Sequence, residues 1–132
     1  MIILTSQQQS QLRQLGVVFC YLFGSHGRGN PGPASDYDIA LYLGPVKPSN
    51  YFDRKLDLIG FFSSLLRSDH LDIVILNEAP NLLAMNVIQE GKILMDDDRS
   101  MRTSFETKVS MQYMDYLPYA QRYLQTLIKR YA

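Results

Sequence analysis

The sequence predicts an α/β (α+β) domain in which one small mixed β-sheet is flanked by helices. Three observations carry this expectation. Short runs rich in β-branched and aromatic residues at 17–23, 36–43 and 71–76 are bounded by glycine, proline or polar residues and read as strands. Segments with helix signals lie between and after them, at about 5–15, 49–66 and 80–90. The chain has 132 residues and is 46% hydrophobic, enough apolar mass for a single core.

The elements follow in order. Thr5 or Ser6 caps a helix that runs to about Leu15, and Gly16 stops it. VVFCYLF at 17–23 is expected to be a buried strand between Gly16 and Gly24. Residues 24–35, GSHGRGNPGPAS, hold four glycines and two prolines and are expected to form a loop without regular structure. DYDIALYL at 36–43 is the second strand, ended by Gly44-Pro45. A helix over about 49–66 takes Ser49 or Asn50 as its cap and Phe52, Leu56, Ile59, Phe62 and Leu66 as its apolar stripe. LDIVIL at 71–76 is the third strand. Pro80 opens a helix that stops near Glu90, with Gly91 capping it, and 92–95 forms a short fourth strand. The last 30 residues read as helical, with Pro118 expected to break or kink them, because proline lacks the backbone donor and clashes with the preceding turn. No repeat, low-complexity tract or long linker divides the chain. Residues 1–132 are therefore expected to be one domain, with a core over about 17–95 and a C-terminal helical segment over about 99–132.

Composition narrows the function classes. Thirteen basic and thirteen acidic residues balance, with a pI near 6.7. No field of one sign would recruit nucleic acid or an anionic membrane, and nucleic acid is disfavoured as a direct substrate. The lone cysteine, Cys20, rules out a disulfide within the chain and favours a reducing compartment. Its place between Phe19 and Tyr21 marks a buried structural thiol rather than a nucleophile. The N-terminus lacks the pattern of a signal peptide, and no window is apolar enough to span a membrane. A soluble, cytoplasmic protein is expected.

The chemistry concentrates on carboxylates. Asp36 and Asp38 are two apart in the second strand, so both face one side together with Ala40 and Tyr42. Tyr37, Ile39, Leu41 and Leu43 take the other. Two carboxylates this close repel each other unless a cation sits between them. A hard divalent ion with oxygen ligands fits, and Mg²⁺ is the usual choice where substrate phosphates complete its shell. Asp72 stands in an otherwise apolar strand and joins the cluster if that strand lies beside the second. Three carboxylates can hold two Mg²⁺ ions about 3.5–4 Å apart, steadying both oxygens of a displacement at phosphorus. In that scheme Asp36 and Asp38 hold both ions, while Asp72 binds the one on the nucleophile side and accepts the attacking hydroxyl's proton. A turn-capping Asp36, a solvated Asp38 and an Asp72 at a strand end would give the same pattern, so the preceding segment decides.

That segment begins Gly24-Ser25, where the first strand ends. Glycine lets the backbone approach a ligand closely, and successive N–H groups in such a turn bind anions, with the Ser25 hydroxyl as a further donor. Arg28 can pair with phosphate oxygens. Gly-Lys-Ser/Thr is absent, which excludes a P-loop. The order G-x-x-G-x-G, with no helix expected after it, excludes a dinucleotide fingerprint. A plain surface loop is the alternative reading of these glycines.

Gly24-Ser25, ten residues, then Asp36-Tyr37-Asp38 reproduces the G-S-x₁₀-D-x-D signature of the DNA polymerase β-like nucleotidyltransferase superfamily. The stretch FGSHGRGNPGPASDYDIAL resembles the minimal nucleotidyltransferase (MNT) family in particular, and LDIVIL resembles its third-carboxylate strand, over about residues 17–95. Gly27 stands where the family usually has alanine, a small-for-small change expected to be harmless. The resemblance implies a nucleotidyltransferase-like fold and a Mg²⁺-dependent transferase that uses ATP. Asp36, Asp38 and Asp72 would be its catalytic and metal residues, and Gly24, Ser25 and Arg28 would hold the nucleotide. It further implies an antitoxin of HEPN/MNT pairs, which transfers AMP to a tyrosine of a HEPN-domain ribonuclease toxin. Two other functions fit the sequence: nucleotide transfer to a small molecule, and a non-catalytic antitoxin that acts by occlusion.

Other residues carry weaker signals. His26 reads as a solvated loop residue rather than a phosphate contact, and His70 as part of a local turn. Asp96-Asp97-Asp98 reads as a solvated turn or helix cap rather than a metal site, since consecutive residues cannot all face one point. Tyr116, Tyr119 and Tyr123 share one face of the C-terminal helix. Part of that face is expected to cover the core, and exposed tyrosines there would suit a protein interface.

Overall fold

The computed structural model describes residues 2–29, 32 and 36–131, without the side chain of Arg28. Four strands form one sheet in the order β3-β2-β1-β4. The strands are β1 (Val17–Phe23), β2 (Tyr37–Leu43), β3 (Leu71–Ile75) and β4 (Lys92–Asp96). β1 pairs antiparallel with β2 and β4, while β2 and β3 run parallel. A parallel pair needs a long crossover, and α3 (Tyr51–Leu66) supplies it.

Helices cover both faces. On one face α1 (Ser6–Gln14) and α3 bury Leu12, Leu58 and Phe62 against Cys20, Leu22, Ile39, Leu41 and Ile73. On the other, α4 (Asn81–Glu90) and α5 (Arg99–Tyr131) bring Ala84, Val87 and Val109 onto Phe19, Tyr21, Phe23 and Ala40. The alternation expected along the second strand is thus observed from Tyr37 to Leu43, while Asp36, expected in the strand, precedes it. A register shift between Val17 and Phe19 turns those two residues to opposite faces, although their spacing alone would place them together.

The termini of α1 match the sequence closely. Thr5 caps it in a reciprocal box with Gln8, and Gly16 follows at φ 89°. Gly91 ends α4 in an extended rather than left-handed conformation. Glycine is required there because a side chain would overlap the Val87 carbonyl and press on Tyr21.

Four expectations are corrected. Gly24–Arg28 is a five-residue helix, α2, ended by Gly29 at φ 81°, and not an irregular loop. A helix therefore does follow the first strand, although the glycine order still excludes a dinucleotide fingerprint. Residues 30, 31 and 33–35 of the predicted loop lie outside the described residues. In α3 the core-facing residues are Leu58 and Phe62, and Ile59 and Leu66 of the predicted stripe pack against the core with Tyr51 and Leu65, whereas Phe52 and Leu56 are 70% and 52% exposed. This helix carries apolar residues on more than one side, so helical spacing alone offered two stripes. Finally, α5 is unbroken through Pro118 over 33 residues. Proline removes one intrahelical bond, and the bonds on either side carry the helix past it.

Candidate functional site

β1 leads directly into α2, which sets Gly24 and Ser25 at the end of the central strand. Gly24 adopts φ 69°, a conformation that favours glycine. A side chain at Gly24 would also overlap Asp38 Oδ2, so the absent Cβ is what admits this carboxylate beside the turn. Phe23 is the β2-register partner of Asp38, which brings the turn and the acidic strand together.

Asp38 and Asp72 are opposite each other in the parallel pairing of β2 and β3. Adjacent strands lie about 4.8 Å apart, and both residues alternate onto the face that carries Ala40 and Val74. The sequence-derived condition for Asp72 to join Asp38, adjacency of the two strands, is met. Asp38 is half-buried and Asp72 exposed. Asp36 precedes β2 and behaves differently. Its side chain is 64% exposed and stands 3.8 Å from His70 Nδ1. Among the described residues, no three Asp, Glu, His or Cys side chains converge into a ready metal cage. Two paired carboxylates remain a donor set suited to Mg²⁺, which is commonly held by one or two carboxylates plus substrate phosphates.

Tyr37, between the two aspartates, projects to the opposite face and stacks on His26 of α2, with ring centroids 4.0 Å apart and planes at 19°. His26 is therefore not simply a solvated loop residue. It joins the turn to the acidic strand, and sequence reading missed this contact. An aromatic residue in the middle of D-x-D was its only signal.

Gly27 is also more constrained than expected. A Cβ there would meet the Leu22 carbonyl oxygen at 2.5 Å and the Glu90 carbonyl oxygen at 3.3 Å. The alanine usual in the family would force α2 away from β1 and α4, so the exchange is not neutral in this chain. Arg28 occupies the last position of α2, but its side chain lies outside the described residues.

Several other acidic and basic residues have structural partners. Asp98 accepts from the Met101 N–H at 3.0 Å and caps α5, as the helix-cap reading anticipated. Asp96 pairs with Arg102, and Asp97 with Arg13. Arg102 also binds Glu106, which accepts from the Tyr21 hydroxyl at 2.9 Å. Burial, and then this acceptor, push the Tyr21 hydroxyl pKa well up. Burial likewise raises the Cys20 thiol from 9.0 to about 12, in keeping with an inert core residue. His70 holds a local turn, with its N–H donating to Ser68 Oγ and its carbonyl accepting from the Tyr37 N–H.

A glycine-serine turn against one carboxylate, with a second carboxylate in register on the neighbouring strand, defines a nucleotidyltransferase of the polymerase β type. Residues 7–100 match the family described as Polymerase beta, Nucleotidyltransferase, and the chain belongs to it. Among its relatives is the Protein adenylyltransferase MntA of Aphanizomenon flos-aquae (strain 2012/KM1/D3), 30% identical over 94 residues, 67% of this chain and 63% of that protein. The matched stretch thus spans less than two thirds of that relative. A crystal structure of a toxin-antitoxin with AMP-PNP contains a chain that is 25% identical, with TM-score 0.72 over 95% of this chain and 99% of that one. A structure of tri-AMPylated Shewanella oneidensis HEPN toxin in complex with MNT antitoxin shares the fold, at 22% identity and TM-score 0.63 over 92% of this chain and 97% of that one.

Proposed function

We propose that this protein is an antitoxin that transfers AMP from ATP to a tyrosine of a HEPN-type toxin and thereby neutralises it. The observation that carries the reading is the register pairing of Asp38 with Asp72 beside Gly24. The names of the similar proteins, a protein adenylyltransferase and antitoxins solved with a toxin or with AMP-PNP, support the acceptor and the nucleotide. On this reading residues 1–132 act as one catalytic domain in the cytoplasm. The described helices include none long and apolar enough to cross a membrane.

Transfer at phosphorus needs positioning and charge neutralisation more than covalent help from the protein. Gly24 and Ser25 cradle the triphosphate with backbone N–H groups and the serine hydroxyl, and Arg28 adds a guanidinium. Asp38 and Asp72 would hold Mg²⁺, with Asp36 as the third carboxylate that could join them. When bound, Mg²⁺ neutralises charge on the phosphates. Asp72 accepts the proton of the attacking tyrosine hydroxyl, which bonds to the α-phosphorus as pyrophosphate leaves.

The test is co-expression with a HEPN-type toxin, taken from the neighbouring reading frame if one is encoded there, followed by mass spectrometry of that partner. Added AMP, lost on replacing both Asp36 and Asp38 by alanine, is the expected result. Undiminished modification by the double variant would overturn it. Neutralisation without modification would favour occlusion instead, and label confined to small molecules would favour a small-molecule acceptor.

A further inference from the structure

α5 is about 50 Å long at 1.5 Å per residue. Its first half is anchored: Phe105 and Val109 pack in the core, and Asn81 donates to the Val109 carbonyl and Gln112 Oε1. The stripe that begins there does not stop. Val109, Tyr113, Tyr116, Ala120, Tyr123 and Leu127 are spaced 4, 3, 4, 3 and 4, the seam of a helix that packs lengthwise on another helix. Val109 is 5% exposed; beyond it Tyr113, Ala120 and Leu127 are half-buried, and Tyr116 and Tyr123 are 47% and 65% exposed. With Tyr119 (69%), Leu124 (57%) and Ile128 (65%) beside it, the apolar surface is on the order of several hundred Å², as large as the patches that mark interaction sites.

We propose that the second half of α5 docks the toxin, and that the toxin contributes a helical face to this seam. The identity of the partner rests on the proposed function. The occupant follows from three observations. The anchored half of α5 lies on the sheet face that carries Asp38 and Asp72, so a partner gripping the exposed half is held on the side where transfer takes place. The chain from the toxin-antitoxin structure with AMP-PNP covers 95% of this one, so most of α5 belongs to the shared fold. A second copy of this chain suits the seam poorly. Tyrosine and alanine replace the aliphatic pairs that two-stranded coiled coils favour. Tyrosine, apolar on its ring and polar at its tip, suits a heterologous protein interface.

The experiment uses the full chain and the purified HEPN protein, with co-elution by size exclusion and light scattering, and label transfer from α-labelled ATP. Tyr116→Asp/Tyr123→Asp alters exposed residues only. It is expected to keep the wild-type melting temperature and ATP binding, to lose co-elution, and to label the toxin at least tenfold more slowly at limiting concentration. Tyr116→Phe/Tyr123→Phe is expected to retain most binding, separating the docking role from a folding defect. Wild-type co-elution and labelling by the Asp variant would overturn the proposal. So would a wild-type chain that dimerises alone and becomes monomeric in the variant, since the seam would then belong to a second copy. Loss of label with co-elution intact in Asp36→Ala/Asp38→Ala supports both readings. A wild-type chain that co-elutes through this seam yet labels nothing leaves docking standing and removes the transfer reaction.

Discussion

Asp38 and Asp72 occupy paired positions on neighbouring parallel strands, with both side chains on the same face of the sheet. Like charges placed directly opposite destabilise a sheet. Each carboxylate is therefore expected to weaken the empty protein while serving the loaded one. Asp72→Asn should raise the melting temperature slightly, by the equivalent of a few tenths of a kcal/mol. It should also slow AMP transfer by about 10²-fold or more, by analogy with removing one preorganised group from a transition state. Calorimetry and labelled-ATP assays on the same preparation check both signs. A variant that loses stability and keeps its rate would contradict the assignment.

Gly24 and Asp38 form a second coupled pair. Gly24→Ala must strain a backbone at φ 69° and displace the Asp38 carboxylate. The expected loss is about 1–3 kcal/mol of stability, with a larger relative loss of ATP affinity. Asp38→Ala should relieve the steric part and leave the backbone part, so the two changes should combine to less than their sum. A double-mutant cycle by chemical denaturation measures this, and strict additivity would show that the overlap plays no role.

The stack of Tyr37 on His26 ties α2 to β2. Tyr37→Leu keeps the apolar contact with the core and deletes the ring pair, worth about 0.5–1.5 kcal/mol. Because this contact positions the turn without touching the reacting atoms, the change should raise KM for ATP more than it lowers kcat. Steady-state kinetics with saturating toxin separates the two.

Alkaline pH should unfold the protein through its core. Burial holds the Cys20 thiol up at about 12, against 9.0 in an exposed chain, and moves the Tyr21 hydroxyl the same way. Both groups stay neutral when folded and ionise more readily when unfolded. Their contribution is therefore complete below about pH 9 and falls as pH rises towards 12. Each group adds a slope of about 1.4 kcal/mol per pH unit inside its window. Cys20→Ala should make the decline in melting temperature shallower, and the native thiol should resist alkylation until the chain is denatured.

The sequence revealed the strands best, because each is a short apolar run between glycines, prolines or polar residues. Face alternation along β2 followed from a period of two, and the pairing of Asp38 with Asp72 needed only the adjacency of their strands. Contacts between distant residues were illegible. Nothing local indicated that Tyr37 would stack on His26, that Asp36 would lean toward His70, or that Gly27 would press on the Leu22 carbonyl. The α2 helix was hidden by its glycines, which are poor helix formers alone and persist here under tertiary packing. In α3 two stripes had similar spacing, and only the docked helix distinguishes Leu58 from Leu56.

Pro118 gives α5 a property that a uniform helix would lack. With no N–H at that position, the Met114 carbonyl has no donor one turn ahead, so the rod has one weak joint midway along it. The thirteen residues from Tyr119 to Tyr131 extend about 20 Å beyond the joint. A change of a few degrees in the bend swings the far tip by an ångström or more. The chain thus carries a lever with its fulcrum at Pro118, whose anchored end rests on the face that bears Asp38 and whose free end can follow a moving load.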